Sequence, residues 1–308
     1  MDTRKIGGEG GLQVSIVGVG CNAFGKRVDE KGTHAVIDAA LDAEITFFDT
    51  AESYGGGLSE EYIGTGIKGR RNQLQLATKF GHSHSNVEGK AKGSADNVKF
   101  TADKALKALR TDYIDLFQQH RPDPDTPVTE TMGALEDLVN EGKIRYYGCS
   151  FYTGAEMQEA VNEAKKHGLK GFVTAQNAWN MLLRDIEEDL IPVCDANNIG
   201  LLPYYPIAKG LLTGKYSKGA QAPAGSRMEG DSDLANADFD LLEKLDVYAK
   251  DHGYDLLTLA ISWLASQSCI ACVISGASKA DQLASNSVAA RWKLSATQLS
   301  EVDAILRT

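Results

Sequence analysis

Short apolar runs and longer amphipathic stretches alternate along the whole chain. Runs with strand character are Gln13–Val19, Ile45–Asp49, Leu74–Lys79, Tyr113–His120, Ile144–Ser150, Val173–Gln176, Gly200–Tyr205 and Ala271–Ser275. Their length and their β-branched and aromatic content suit buried strands. Between them, apolar residues recur at helical spacing over His34–Ala43, Ser59–Lys68, Thr101–Arg110, Val128–Asn140, Gly154–His167, Ile186–Ala196, Phe239–Asp251 and Ser278–Ala289. Ser59-Glu60-Glu61 places a capping residue and acid at a helix start, where both are favoured. The pattern predicts eight strand-then-helix units. That is the arithmetic of an α/β fold, a (β/α)8 TIM barrel.

Three segments fall outside the repeat. Lys5–Val14, with its Gly7-Gly8-Glu9-Gly10-Gly11 turn, predicts a β-hairpin ahead of the barrel, and Leu256–Ala265 and Ala296–Leu306 predict two extra helices. No linker or low-complexity tract interrupts the chain, so residues 1–308 are expected to form a single domain. One connection is too long for its place. About thirty residues rich in Gly, Ala, Ser and Lys run from Ile207 to Asp238, and loops of that length in compact domains are usually functional or disordered.

Composition narrows the function classes. No apolar run approaches the roughly 18 residues needed to cross a bilayer, and Met1-Asp-Thr-Arg-Lys-Ile6 is not followed by the apolar segment of a signal peptide. Five cysteines, Cys21, Cys149, Cys194, Cys269 and Cys272, are scattered without a disulfide framework. Reduced, buried thiols and a cytoplasmic location are expected. The formal net charge of −10 argues against nucleic acid and anionic membrane as partners. It leaves room for a local basic pocket.

Barrel chemistry belongs at the C-terminal ends of the strands. Asp49, Lys79 and His120 each close an apolar run, and Tyr54 follows Asp49 by five residues. One chemistry uses all four. A Tyr hydroxyl can protonate a carbonyl oxygen as hydride reaches carbon, although its ordinary pKa near 10 is high for the task. A Lys cation nearby favours the phenolate, an Asp compensates the burial of that Lys, and a His donates a hydrogen bond to the same carbonyl.

With these residues in their flanking runs, the chain resembles the aldo-keto reductase family over essentially its whole length. The branch it is most similar to includes potassium-channel beta subunits and many bacterial reductases. The runs that carry the likeness are Gly55-Gly-Gly-Leu-Ser-Glu60, Thr111-Asp-Tyr-Ile-Asp-Leu-Phe117, Asn140-Glu-Gly-Lys-Ile-Arg-Tyr146 and Tyr204-Tyr-Pro-Ile-Ala-Lys-Gly-Leu-Leu-Thr-Gly-Lys-Tyr216. The resemblance implies reduction of a small aldehyde or ketone by NADPH, with Tyr54, Asp49, Lys79 and His120 catalytic. It also implies that Ser150 and Gln176 hold the nicotinamide carboxamide and that Tyr204 stacks on the nicotinamide. Ile207, Lys209, Gly210 and Leu211, with Lys215 and Arg227, match the loop that folds over the pyrophosphate. Gly276, Ser278, Lys279, Gln282 and Asn286 match the adenosine-phosphate end. Lys215 and Arg227 suit closure over a dianion, and a helix opening at Ser278 offers amides to a phosphate.

Departures from the family pattern adjust these expectations. Phe151 stands where the family usually has Asn, so one carboxamide contact is expected to be missing. Gln282 replaces an Arg found in some members, and Ser285 an acid that contacts adenine. NADPH is still implied, less strictly, with Lys279 the main remaining cation and NADH the alternative. The family pocket is partly walled by a C-terminal tail. Here Thr308 directly follows the last helical pattern, which implies a shallow, open pocket.

Rival motifs fail on physical grounds. Gly18-Val-Gly20-Cys-Asn-Ala23 fits a dinucleotide-binding turn, but a doubly wound sheet leaves Tyr54, Lys79 and His120 idle. Tyr205 and Lys209 have a short-chain-dehydrogenase spacing that requires a helix, which Pro206 and Gly210 oppose. His82 and His84 lack a third metal ligand, and the Cys269/Cys272 pair lacks a second pair or a nearby His, so no metal is expected. The reading from another class is a cofactor-binding regulatory subunit with little turnover. Neither the substrate nor the oligomeric state is legible.

Overall fold

The computed structural model describes residues 1–8, 11–82, 87–223, 226 and 228–307. An antiparallel hairpin, β1 (Thr3–Ile6) with β2 (Leu12–Ser15), precedes eight parallel strands: β3 (Val17–Gly20), β4 (Phe47–Asp49), β5 (Gln75–Phe80), β6 (Ile114–Gln119), β7 (Ile144–Ser150), β8 (Thr174–Gln176), β9 (Gly200–Leu201) and β10 (Val273–Gly276). Their order in the sheet is β10-β3-β4-β5-β6-β7-β8-β9. Leu201 donates to the Cys269 carbonyl and accepts from Ala271, and Ile274 donates to Pro203, so β9 meets β10 and the sheet closes. The expected (β/α)8 barrel is the fold.

Helices α1 (Glu30–Asp42), α2 (Leu58–Gly66), α3 (Ala95–Leu109), α4 (Val128–Asn140), α5 (Gly154–His167), α6 (Leu190–Ala196), α7 (Phe239–Asp251) and α9 (Ala280–Ala289) wrap it. The two expected additions are α8 (Leu256–Ala265) and α10 (Ala296–Leu306). The main core lies between strands and helices. A second cluster fills the barrel interior, where Ile6, Leu12 and Val14 of the hairpin meet Phe47, Ala77 and Leu116. The hairpin therefore plugs the end of the barrel opposite the C-terminal strand ends. Among the described residues no helix is long and apolar enough to cross a membrane.

Local chemistry moves several expected boundaries. The run Gln13–Val19 divides because the Ser15 hydroxyl bonds the Val17 carbonyl and accepts from the Thr46 amide, taking the place of ladder bonds. The run Gly200–Tyr205 shortens to β9 because Pro203 has no amide to donate. The segment expected as one helix from Ile186 is a 3-10 turn, Asp185–Glu187, and then α6. Pro192 lacks the amide that a continuous helix needs there. Helix α1 starts early because Asp29 caps it, accepting from Gly32. Helix α9 starts at Ala280, two residues after the Ser278 start expected.

Candidate active site

Asp49 ends β4, Lys79 lies at the end of β5, and His120 follows β6. The barrel thereby gathers three polar groups: Asp49 and His120 line a cavity of about 370 Å³, and Lys79 is buried against Asp49. Tyr54 joins them from the turn Tyr54–Gly57. That turn is left-handed at Gly55 and Gly56 (φ 59° and 69°). A Cβ on Gly55 would lie 2.5 Å from the Phe24 carbonyl oxygen, so the close approach that presents Tyr54 requires glycine.

Lys79 is fully buried. Its Nζ donates to Asp49 Oδ2 at 2.7 Å, to the Thr50 carbonyl at 2.8 Å and, at the limit, to the Tyr54 hydroxyl at 3.5 Å. Burial opposes the ammonium, but Asp49 and Tyr54 outweigh it and hold its pKa above the ordinary Lys value. For Tyr54 the balance differs. Burial pushes the phenol above 10, and the Lys79 charge pulls it back only in part. The expected lowering by Lys79 is present as a force and loses to desolvation.

His120 packs edge-on to Tyr54, with ring centroids 6.0 Å apart. Burial and the Lys79 charge push its pKa down to about 2, so it is a neutral imidazole that can donate one N–H. Its Nδ1 is buried with no hydrogen-bond partner among the described residues. The cluster thus holds a protonated phenol, a cation beneath it and a neutral N–H donor beside it.

Asp49 has partners the sequence did not suggest. Its Oδ1 accepts from Gln118 Nε2 at 3.2 Å and from Gln176 Nε2 at 3.0 Å, and Gln118 in turn accepts from Thr174. Gln118 is a buried polar residue inside an apolar run, which is the signal that could have found it.

The expected cofactor residues separate into two groups. Gln176, Tyr204, Ile207, Lys209, Gly210, Lys215, Gly276, Ser278 and Gln282 line the cavity. Ser150, Leu211, Lys279 and Asn286 do not line it. The Ser150 hydroxyl donates to the Gln176 carbonyl, and Asn286 is buried against Ser275. Arg227, like His84, lies outside the described residues. Gln282 Oε1 accepts from the amides of Ser278 and Lys279, at 2.8 and 3.2 Å, so a side chain already covers the amides expected to meet a phosphate. Among the described residues no cluster of metal-ligating side chains occurs.

Sequence reasoning missed Arg27 and Ser226, both of which line the cavity. The Ser226 hydroxyl is buried there with no partner among the described residues. Tyr205, Ala208 and Lys209 have left-handed backbones in the connection after β9. Such strain in bulky residues clusters at functional sites. No residue pattern in the sequence signals either feature.

Comparison with known proteins agrees with this geometry. The sequence profile described as the Aldo/keto reductase family matches residues 16–307. The chain is similar to "Probable aldo-keto reductase 1" of Glycine max, at 33% identity over 97% of this chain and 87% of the relative. It is similar to "Aldo-keto reductase YhdN" of Bacillus subtilis (strain 168), at 34% identity over 96% of this chain and 91% of the relative. It is also similar to "Probable voltage-gated potassium channel subunit beta" of Oryza sativa subsp. japonica, at 35% identity over 91% of this chain and 88% of the relative.

Proposed function

This chain belongs to the aldo/keto reductase family, and on that premise we propose that it reduces a small aldehyde or ketone to the alcohol with NADPH. The observation that carries the reading is the buried Lys79–Asp49 pair beneath the Tyr54 hydroxyl. The residues suit the cofactor. Arg27, Lys209 and Lys215 line the cavity of a protein whose net charge is −10, and Asp49, which also lines it, is paired with Lys79. The orphaned Ser226 hydroxyl offers one further donor.

When bound, the nicotinamide supplies hydride to the carbonyl carbon. Tyr54 delivers its proton to the carbonyl oxygen, which acquires negative charge as the C–O π bond breaks. Lys79 stabilises the phenolate that results, and burial keeps Tyr54 protonated until then. His120 donates its N–H to the same oxygen. Asp49, held by Gln118 and Gln176, keeps Lys79 in place.

Lys209, Gly210 and Lys215 take the pyrophosphate in this reading, and Tyr204 stacks on the nicotinamide. Residues 1–308 act as one catalytic domain in the cytoplasm. The relative named a channel subunit supports a second reading, a cofactor-binding regulatory protein. Purified protein given NADPH and a panel of small aldehydes and ketones separates the two. Turnover near 1 s⁻¹ or above, the ordinary enzymatic range of roughly 1–10³ s⁻¹, is expected. Tight cofactor binding with no turnover on any substrate would favour the regulatory reading.

A further inference from the structure

We infer that Arg121 is a specificity residue that selects carbonyl substrates carrying a carboxylate. The inference rests on the reductase reading above and names the substrate class of that site.

Arg121 directly follows His120, whose amide donates to the Phe80 carbonyl at 2.8 Å, so its backbone is held on both sides. Pro122 restricts its conformation. Asp123 ties the same loop down, accepting from the Gly93 amide at 2.6 Å and the Thr126 hydroxyl at 2.7 Å. The guanidinium carbon lies 4.0 Å from the centroid of the Phe151 ring. Phe151 lines the cavity, and its ring is 5.5 Å from that of Tyr204. The charge of Arg121 is felt at both His120 and Tyr204, where the reacting carbonyl sits in the proposed reaction.

Phe151 itself is an outlier. Its φ is +62°, a left-handed conformation that a bulky aromatic adopts only under strain. Asn, the residue usual at this position in the family, tolerates that backbone better. The strained residue is the plate on which Arg121 rests. A guanidinium stacked on a ring leaves its planar N–H edge for a planar, two-oxygen acceptor.

That edge has no hydrogen-bond or ion-pair partner among the described residues. Arg70, Arg71 and Arg184 are each paired with a carboxylate. Lys209 and Lys215 line the cavity on the connection after β9, where the cofactor phosphates belong in this reading. Arg121 is exposed and does not itself line the cavity; it sits at the rim, next in sequence to His120 and against Phe151, which both do. An anionic group on the substrate fits it, and a carboxylate fits the flat fork.

The test compares three aldehydes of matched shape: 4-methylbenzaldehyde, 4-carboxybenzaldehyde and 4-formylphenyl phosphate. Wild type is expected to favour the carboxylate over the methyl compound in kcat/KM. In Arg121→Leu the ratio falls about tenfold, mainly through KM, as befits one partly exposed charge-assisted pair. Phe151→Asn, which keeps the charge and removes the plate, lowers the ratio severalfold. An unchanged ratio in Arg121→Leu, or a loss seen only in Arg27→Leu, overturns the assignment. So does a preference for the phosphate over the carboxylate. If wild type reduces none of the three, the reductase reading is what fails. Binding of 4-carboxybenzyl alcohol by calorimetry then decides: a tenfold weaker Kd in Arg121→Leu supports the carboxylate site, and equal affinity rejects it.

Discussion

The Lys79 ammonium lies 2.7 Å from Asp49 Oδ2 but 3.5 Å from the Tyr54 hydroxyl, so the ion pair is tight and the contact with the phenol slack. A slack contact lets burial dominate the phenol and keep it protonated at rest. Charge developing on a bound carbonyl would then draw the proton across.

Tyr54→Phe keeps the ring and removes the only proton the proposed reaction transfers. We expect kcat to fall by about 10²–10⁴, the usual contribution of a general acid. Cofactor affinity, read by quenching of protein fluorescence, should stay within about twofold. A variant that retained a tenth of the wild-type rate would place the proton donor elsewhere.

Lys79→Met keeps the stem and removes the charge, leaving Asp49 buried with Gln118 and Gln176 as its side-chain donors among the described residues. Breaking a buried pair from one side typically costs about 3–5 kcal/mol. The two remaining amides should bring the loss toward the lower figure. Urea denaturation measures it, and turnover should be lost across the whole pH range. Unchanged stability would mean that Asp49 does not depend on Lys79.

Glu60 is buried in α2, where it accepts from the Thr78 hydroxyl at 2.5 Å. Burial raises its pKa from 4.5 to about 7. Its contribution to stability is therefore complete below about pH 4.5 and is lost as pH rises through about 7, where the folded protein must carry a buried charge. At 1.36 kcal/mol per pKa unit the loss approaches about 3 kcal/mol. Glu60→Gln should accordingly gain on wild type as pH rises, with a widening Tm difference between pH 4.5 and 8. A pH-independent difference would show that Glu60 does not titrate in that window.

Lys279 is exposed at the start of α9, next to amides that Gln282 already covers. A ribose phosphate there must displace the Gln282 oxygen, which leaves the Lys279 charge as its main distinctive attraction. Lys279→Ala should weaken NADPH by about tenfold and NADH by less than twofold. Equal losses for both cofactors in parallel titrations would put the phosphate elsewhere.

Much of this molecule was determined by residues read in order. The alternation of apolar runs and amphipathic stretches specified eight strand-helix units, since each pattern can bury its apolar face in only one kind of element. Asp49, Lys79 and His120 were legible because charge at the end of a buried strand needs a partner, and a barrel brings strand ends together. The tertiary structure decided which polar groups touch. Gln118 and Gln176 reach the same Asp49 oxygen from β6 and β8, across 69 and 127 residues of sequence. Ser150 and Asn286 turn to Gln176 and Ser275, and neither lines the cavity. Arg121 acquires its place only because Phe151, thirty residues later, takes a left-handed backbone beside it. A period of two residues tells which face of a strand a side chain occupies. Which side chains then meet inside a closed barrel depends on strand stagger and tilt, properties of all eight strands together.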